Sequence, residues 1–150
     1  MGRFRPLHFH VGSWDAASKL INKLQDELAV AINIGVSGTY TPTLTNVANL
    51  DASTAYPCQW LRVGDTVTVS GKVDVNPTAP ATPTQLTLTL PVASNFANDY
   101  ECTGVAFSSN IAGQGAAIRA EGTVNEAEMI WTSGDVTNQP MYFTFTYQVL

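Results

Sequence analysis

The run Gln59-Trp-Leu-Arg-Val-Gly-Asp-Thr-Val-Thr-Val-Ser-Gly-Lys-Val-Asp-Val75 decides how this chain is read. Two segments that alternate apolar and polar residues, Gln59 to Val63 and Thr66 to Val75, flank Gly64-Asp65. Period two sends successive side chains to opposite faces of a strand, and a two-residue link led by glycine fits a type II′ hairpin turn. The stretch is therefore a hairpin with one buried and one solvated face.

The same period extends outward in both directions. Upstream, Thr39, Thr41, Thr43 and Thr45 alternate with Tyr40, Pro42, Leu44 and Asn46, and Pro42 marks an edge strand or a strand break. Downstream, residues 76–83 carry three prolines and read as an exposed loop. Leu86, Leu88 and Leu90 then alternate with threonines up to Pro91. Further strands are expected at 101–108, 117–124, 128–132 and 141–149, the last setting Phe143, Phe145, Tyr147 and Val149 against Tyr142, Thr144, Thr146 and Gln148. Gly113-Gln-Gly115 reads as a turn rather than a phosphate loop, because no helix follows it. Seven or eight short strands predict a mainly β chain, an antiparallel sandwich or jelly roll.

Before Gly35 the period is helical. Trp14, Ala17, Ile21, Leu24, Leu28 and Ala31 recur at alternating steps of three and four, an a/d seam that Leu20 and Ile32 widen. Ser13 is the expected N-cap, with Asp15 in the first turn where the helix dipole favours a carboxylate. One short helix cannot bury such a seam against itself, and its width favours three chains over two. Packing of the helix on its own β domain is the other reading. The expected organisation is an extended anchoring arm at 1–12, a trimerising helix at 13–34 and a β head at 36–150.

Composition narrows the function. Charged residues are 13% of the chain, about half the usual share. The first 35 residues carry a net +1 and the remainder −6, with only Arg62, Lys72 and Arg119 as cations beyond Gly35. An acidic head without a basic footprint excludes nucleic acid as the partner. No segment has the apolar length of a membrane span, no export signal is recognisable, and a soluble protein without membrane insertion is expected. Cys58 and Cys102 are expected as free buried thiols, with a bridge as the alternative.

Residues that could carry chemistry are few. His8 and His10 both lie in the arm, so the head has no histidine for a nucleophilic triad. Their i, i+2 spacing could offer imidazoles to a transition metal across a trimer, but an adhesive arm of Arg3, Phe4, Arg5, His8, Phe9 and His10 is the preferred reading, with no metal and no cofactor. Glu126 with Glu128, and Asp99 with Glu101, sit at a spacing that puts both carboxylates of a pair on one strand face. Nothing flanking them supports catalysis, and no enzymatic role is assigned. Among Tyr40, Tyr56, Trp60, Tyr100, Trp131 and Tyr142, a set sharing one outer face could stack sugars; Tyr56, Trp60, Tyr100 and Trp131 are the candidate glycan contacts.

The runs Gly38-Thr-Tyr-Thr-Pro-Thr-Leu-Thr-Asn-Val47 and Tyr56-Pro-Cys-Gln-Trp-Leu-Arg-Val-Gly-Asp-Thr-Val-Thr-Val-Ser-Gly-Lys-Val73 resemble the head domain of phage tail fibres and related virion proteins. Leu88-Thr-Leu-Pro-Val-Ala-Ser-Asn-Phe96 and Met141-Tyr-Phe-Thr-Phe-Thr-Tyr147 look like later strands of the same pattern. The resemblance spans about residues 38–150 and implies a homotrimeric β head displayed on a virion, often touching the host surface, with no catalytic residues. Fibres of this kind usually carry a long shaft, whereas one helix precedes the head here. The expectation is a short fibre or capsid decoration protein, held by its arm to a capsid, neck or tail protein. The alternative is a carbohydrate-binding module that recognises cell-surface glycan.

Overall fold

The computed structural model describes residues 11–32 and 35–150, with side chains for 15–25 and 35–150. The chain divides between Ile34 and Gly35 into two units. The first holds one helix, α1 (Val11–Ile32), and the second holds ten strands. The expected antiparallel β fold led by one helix is what the structure shows.

Helix α1 starts two residues ahead of the expected cap. Val11 and Gly12, read as the end of the arm, lie in the helix, and Ser13 is inside it rather than at its N-cap. Asp15 consequently falls beyond the first turn, where it pairs with Lys19 at 3.0 Å across one helical turn. That pair is exposed and adds only a few tenths of a kcal/mol, about 0.3–0.5.

The strands are β1 (Val36–Tyr40), β2 (Leu44–Ala48), β3 (Leu50–Ala55), β4 (Cys58–Val63), β5 (Thr66–Pro77), β6 (Pro83–Leu88), β7 (Cys102–Ser108), β8 (Gly115–Glu121), β9 (Glu126–Thr132) and β10 (Gln139–Gln148). All belong to one antiparallel sheet in the order β1-β4-β5-β10-β7-β8-β9-β6-β2, with β3 also on β5. The pairings do not divide the strands into the two stacked sheets of a sandwich or jelly roll.

Instead the sheet returns on itself. β10 lines one edge of β5 from Thr66 to Val75, while the other edge is shared, β4 taking Thr66 to Ser70 and β3 taking Val73 to Pro77. β2 pairs with β6 at the far end of the order. Only Asn49 separates β2 from β3, so residues 44–55 are one bent run whose first half joins β6 and whose second half joins β5. The circuit β3-β5-β10-β7-β8-β9-β6-β2 is thereby closed by the chain itself, which leaves fewer free edges than an open sheet would.

Alternation explains the core. Val67, Val69, Val73 and Val75 of β5, and Met141, Phe143, Phe145 and Tyr147 of β10, all point inward and are buried. Leu86, Leu88, Ile118, Met129 and Trp131 complete the lining from β6, β8 and β9. The Phe143 and Phe145 rings stack at 5.8 Å, and Phe96 meets Tyr147 edge-on at 5.9 Å. The Tyr147 hydroxyl donates to the Val92 carbonyl at 2.7 Å, which fastens the segment after β6 to this core.

The β4–β5 hairpin forms as read. Val63 pairs with Thr66, Gly64 has φ +59°, and Asp65 does not share the left-handed conformation, as a type II′ turn requires. Pro42 lies in the break between β1 and β2 and is buried. The proline-rich loop is shorter than expected, because β5 runs on to Pro77 and β6 begins at Pro83.

Candidate functional site

Two surfaces stand out, and the first is the seam of α1. A helix of 22 residues is about 33 Å long and only marginally stable alone in water. Of the seam, Ala17, Leu20, Ile21 and Leu24 have described side chains, and all four are exposed. Leu20, Ile21 and Leu24 are each more than half exposed, at 58%, 55% and 54%. Covering each of them would contribute on the order of 1–2 kcal/mol. Trp14, Leu28 and Ala31 lie on the helix, but their side chains fall outside those described, and the arm residues Arg3, Phe4, Arg5, His8, Phe9 and His10 lie outside the described residues altogether.

The second surface is the outer face of β5, β10 and β7. Lys72 pairs with Tyr142, and Tyr142 with Phe107, so the three side chains form one row across adjacent strands. Phe107 is 62% exposed and Tyr142 53%. Gly115 is the next residue in the row, and Phe107 Cε1 is 3.5 Å from where a Gly115 side chain would begin. The phenyl ring therefore lies against bare backbone.

At the other end of the row, Lys72 Nζ sits 4.1 Å from the centre of the Tyr56 ring and 3.1 Å from Asp74 Oδ1. The Tyr56 hydroxyl donates to Asp74 Oδ2 at 2.8 Å. Burial works against ionisation of Asp74, but the hydrogen bonds from Tyr56 and Lys72 outweigh it and hold the carboxyl below its usual range. The same carboxylate raises the Lys72 ammonium above its ordinary value. Tyr56, Lys72 and Asp74 thus fix one another in a polar triad beside two solvent-facing rings.

Of the four aromatic residues read as glycan contacts, only Tyr56 belongs to this row. Trp131 is 7% exposed and packs in the core, which corrects its reading as a surface contact. Trp60 is half-buried against that core, with Gly38 beneath its indole. Tyr100 is well exposed but stands apart, beside Thr66, Thr103 and Gln148. These residues do not make one platform.

Phe107 was missing from the sequence reading for a physical reason. On β7 the inward positions are small, Cys102, Gly104 and Ala106, while Thr103, Val105 and Phe107 face out. Gly104 lies opposite Phe145 in the ladder, so the bulk of β10 fills the interior there. A strand whose small residues alternate with large ones, beside an aromatic strand, is the signal that would have placed Phe107 on the outer face.

The carboxylate pairs are engaged elsewhere. Glu128 is buried and accepts from Arg119 Nε at 2.7 Å, and Arg119 also approaches Asp99 at 3.9 Å. Glu101 accepts from the backbone N–H groups of Ala97 and Asn98, which keeps its carboxyl ionised to lower pH than usual. Glu126 lies opposite Glu121 where β8 turns into β9. Cys58 and Cys102 are free and buried, and burial raises both thiols, Cys102 to about 12. Among the described residues no cluster of three or more His, Cys, Asp or Glu could hold a metal ion. No helix among them is long and apolar enough to cross a membrane.

No protein-family model, curated protein or solved structure matches the chain.

Proposed function

We propose that the protein is a bacteriophage virion component, a short homotrimeric fibre or capsid decoration protein that displays its β unit on a three-helix stalk. The observation that carries this reading is the seam of α1, where Leu20, Ile21 and Leu24 are all more than half exposed on one helix face. Apolar residues repeating at heptad spacing are shielded from water when sister helices supply knobs and holes, and the flanking apolar positions suit three strands better than two. The acidic β unit and the likeness of residues 38–150 to fibre heads support display on a particle rather than catalysis inside a cell. The basic arm is the part that docks on a capsid, neck or tail protein.

Light scattering on the full chain tests the assembly. The expected mass is three times the 16.0 kDa of one chain, falling to that of one chain when Leu20, Ile21 and Leu24 are replaced together by serine. A 16.0 kDa species from the unaltered chain would overturn the reading. Alanine at Arg3, Phe4, Arg5 and Phe9 should release the protein from virions; retention at normal copy number would end the anchoring role.

A further inference from the structure

We infer that the outer row of Tyr56, Lys72, Tyr142 and Phe107 is a binding platform for neutral pyranose oligosaccharide. This deepens the reading of the β unit as a displayed head and rests on it for biological sense, though not for its geometry. A pyranose has an apolar face of C–H groups and an equatorial rim of hydroxyls. It is held by an aromatic plane together with donors and acceptors fixed at the edge of that plane.

Both parts are present here. Phe107 lies against Gly115 with its other side open to solvent, and Tyr142 is the adjacent ring on the next strand. From Phe107 to Lys72 is two strand spacings, about 10 Å. At that end Asp74 is occupied, its Oδ1 buried beside Lys72 and its Oδ2 accepting from the Tyr56 hydroxyl, and it holds the Lys72 ammonium as a donor and the Tyr56 hydroxyl oxygen as an acceptor in a fixed arrangement. Neither must be ordered when ligand arrives, which lowers the entropic cost of binding. Beyond the rings the same sheet face continues as hydroxyls, with Ser70 opposite Thr144.

Charge selects the kind of sugar. Lys72 is the row's one cation and is already paired with Asp74, while the chain beyond Gly35 carries −6. A polyanionic glycan would meet an unfavourable field, whereas a neutral one would not. A second copy of the chain is the competing occupant of two exposed rings, but the fixed ion pair and the hydroxyl surround suit a polyhydroxylated ligand better than a dry protein interface.

The test is calorimetric titration of the full chain with maltohexaose, cellohexaose and chitohexaose, with sialyllactose as the anionic comparison. At least one neutral hexaose should bind saturably, and more tightly than sialyllactose. Phe107→Ala and Tyr142→Ala should each weaken it about five- to tenfold, in line with one lost stacking partner. Phe107→Tyr, which keeps the ring, should stay within about twofold. Failure of all three hexaoses to bind, or binding indifferent to Phe107→Ala, overturns the platform.

Light scattering on the same samples separates the two readings. A monomer that still binds a hexaose refutes the fibre and leaves the platform. A trimer that binds none refutes the platform alone. A Phe107→Ala chain that loses its partners makes the row a contact between copies and overturns the platform as well.

Discussion

The side-chain amide of Asn49 pairs with both polar backbone groups of Ala79: Oδ1 accepts from the Ala79 N–H at 2.8 Å, and Nδ2 donates to its carbonyl at 2.9 Å. A side chain here does what a neighbouring strand would do. Asn49 also donates to Thr84 Oγ1 and Ser133 Oγ, accepts from Thr78 Oγ1, and holds φ +56° at the bend between β2 and β3. Asparagine is one of the few residues that reach this conformation at low cost. The bend that closes the sheet and the loop after β5 are thus tied by one residue.

Asn49→Ala should therefore lower the unfolding free energy by about 2–4 kcal/mol, since it strands several part-buried partners and strains the backbone. Asn49→Gly keeps the bend and should cost less than alanine despite losing the same hydrogen bonds. Urea denaturation followed by tryptophan fluorescence measures both. Equal costs would show that conformation at the bend contributes nothing.

Gly104→Ala should prevent folding. Its methyl group would fall on the Thr144 carbonyl and on Phe145 Cα and Cβ, atoms that cannot move without breaking the β7–β10 ladder. Gly71→Ala meets the side chain of Cys58 instead, together with Phe143 Cζ at 3.1 Å, and should cost about 1–3 kcal/mol as an overpacked core does. Cys58→Gly in the same chain should recover part of that cost. Soluble yield and urea midpoints distinguish the two glycines.

Arg119→Met should destabilise the fold by about 1–2 kcal/mol, because it leaves the Glu128 carboxylate, 7% exposed, without its cation. The loss is moderated because Arg119 itself is 43% exposed. Adding Glu128→Gln should return more than half of it. A double-mutant cycle that shows no coupling between the two changes would contradict the buried pair.

Stability should fall on the alkaline side. Burial raises Cys102 from 9.0 to about 12 and Tyr147 from 10.0 to about 12, so the unfolded chain loses these protons before the folded one does. Their contribution is complete below pH 9 and is lost as pH rises toward 12, at up to about 1.4 kcal/mol per pH unit for each group. Urea midpoints between pH 8 and 11.5 should show a decline that Cys102→Ala makes shallower. Both thiols should resist Ellman's reagent at pH 8 in the native protein and react once it is unfolded.

What the sequence revealed depended on how strongly each strand was patterned. β10 was legible because Met141, Phe143, Phe145 and Tyr147 alternate without a break, and the β4–β5 hairpin because Gly64-Asp65 admits few other turns. β3 was missed. Leu50-Asp-Ala-Ser-Thr-Ala55 has little apolar alternation, and its place on β5 is set by the distant closure of the sheet. The helix start was misplaced because Ser13 has the chemistry of a cap, while the chain is already helical from Val11. Of the platform, Tyr56 and Tyr142 were legible as aromatic candidates, but their shared row with Phe107 depends on register between strands far apart in sequence.

The bent run of β2 and β3 also sets an order of events in time. As the chain leaves the ribosome, residues 44–48 have no partner until 83–88 appear, and that strand waits in turn for 126–132. The last strand, β10, must insert between β5 and β7. A circuit joined through such distant segments cannot assemble hairpin by hairpin, so refolding is slow for a chain of this size. Until residues 139–148 are made, β5 and β7 each keep an unpaired edge.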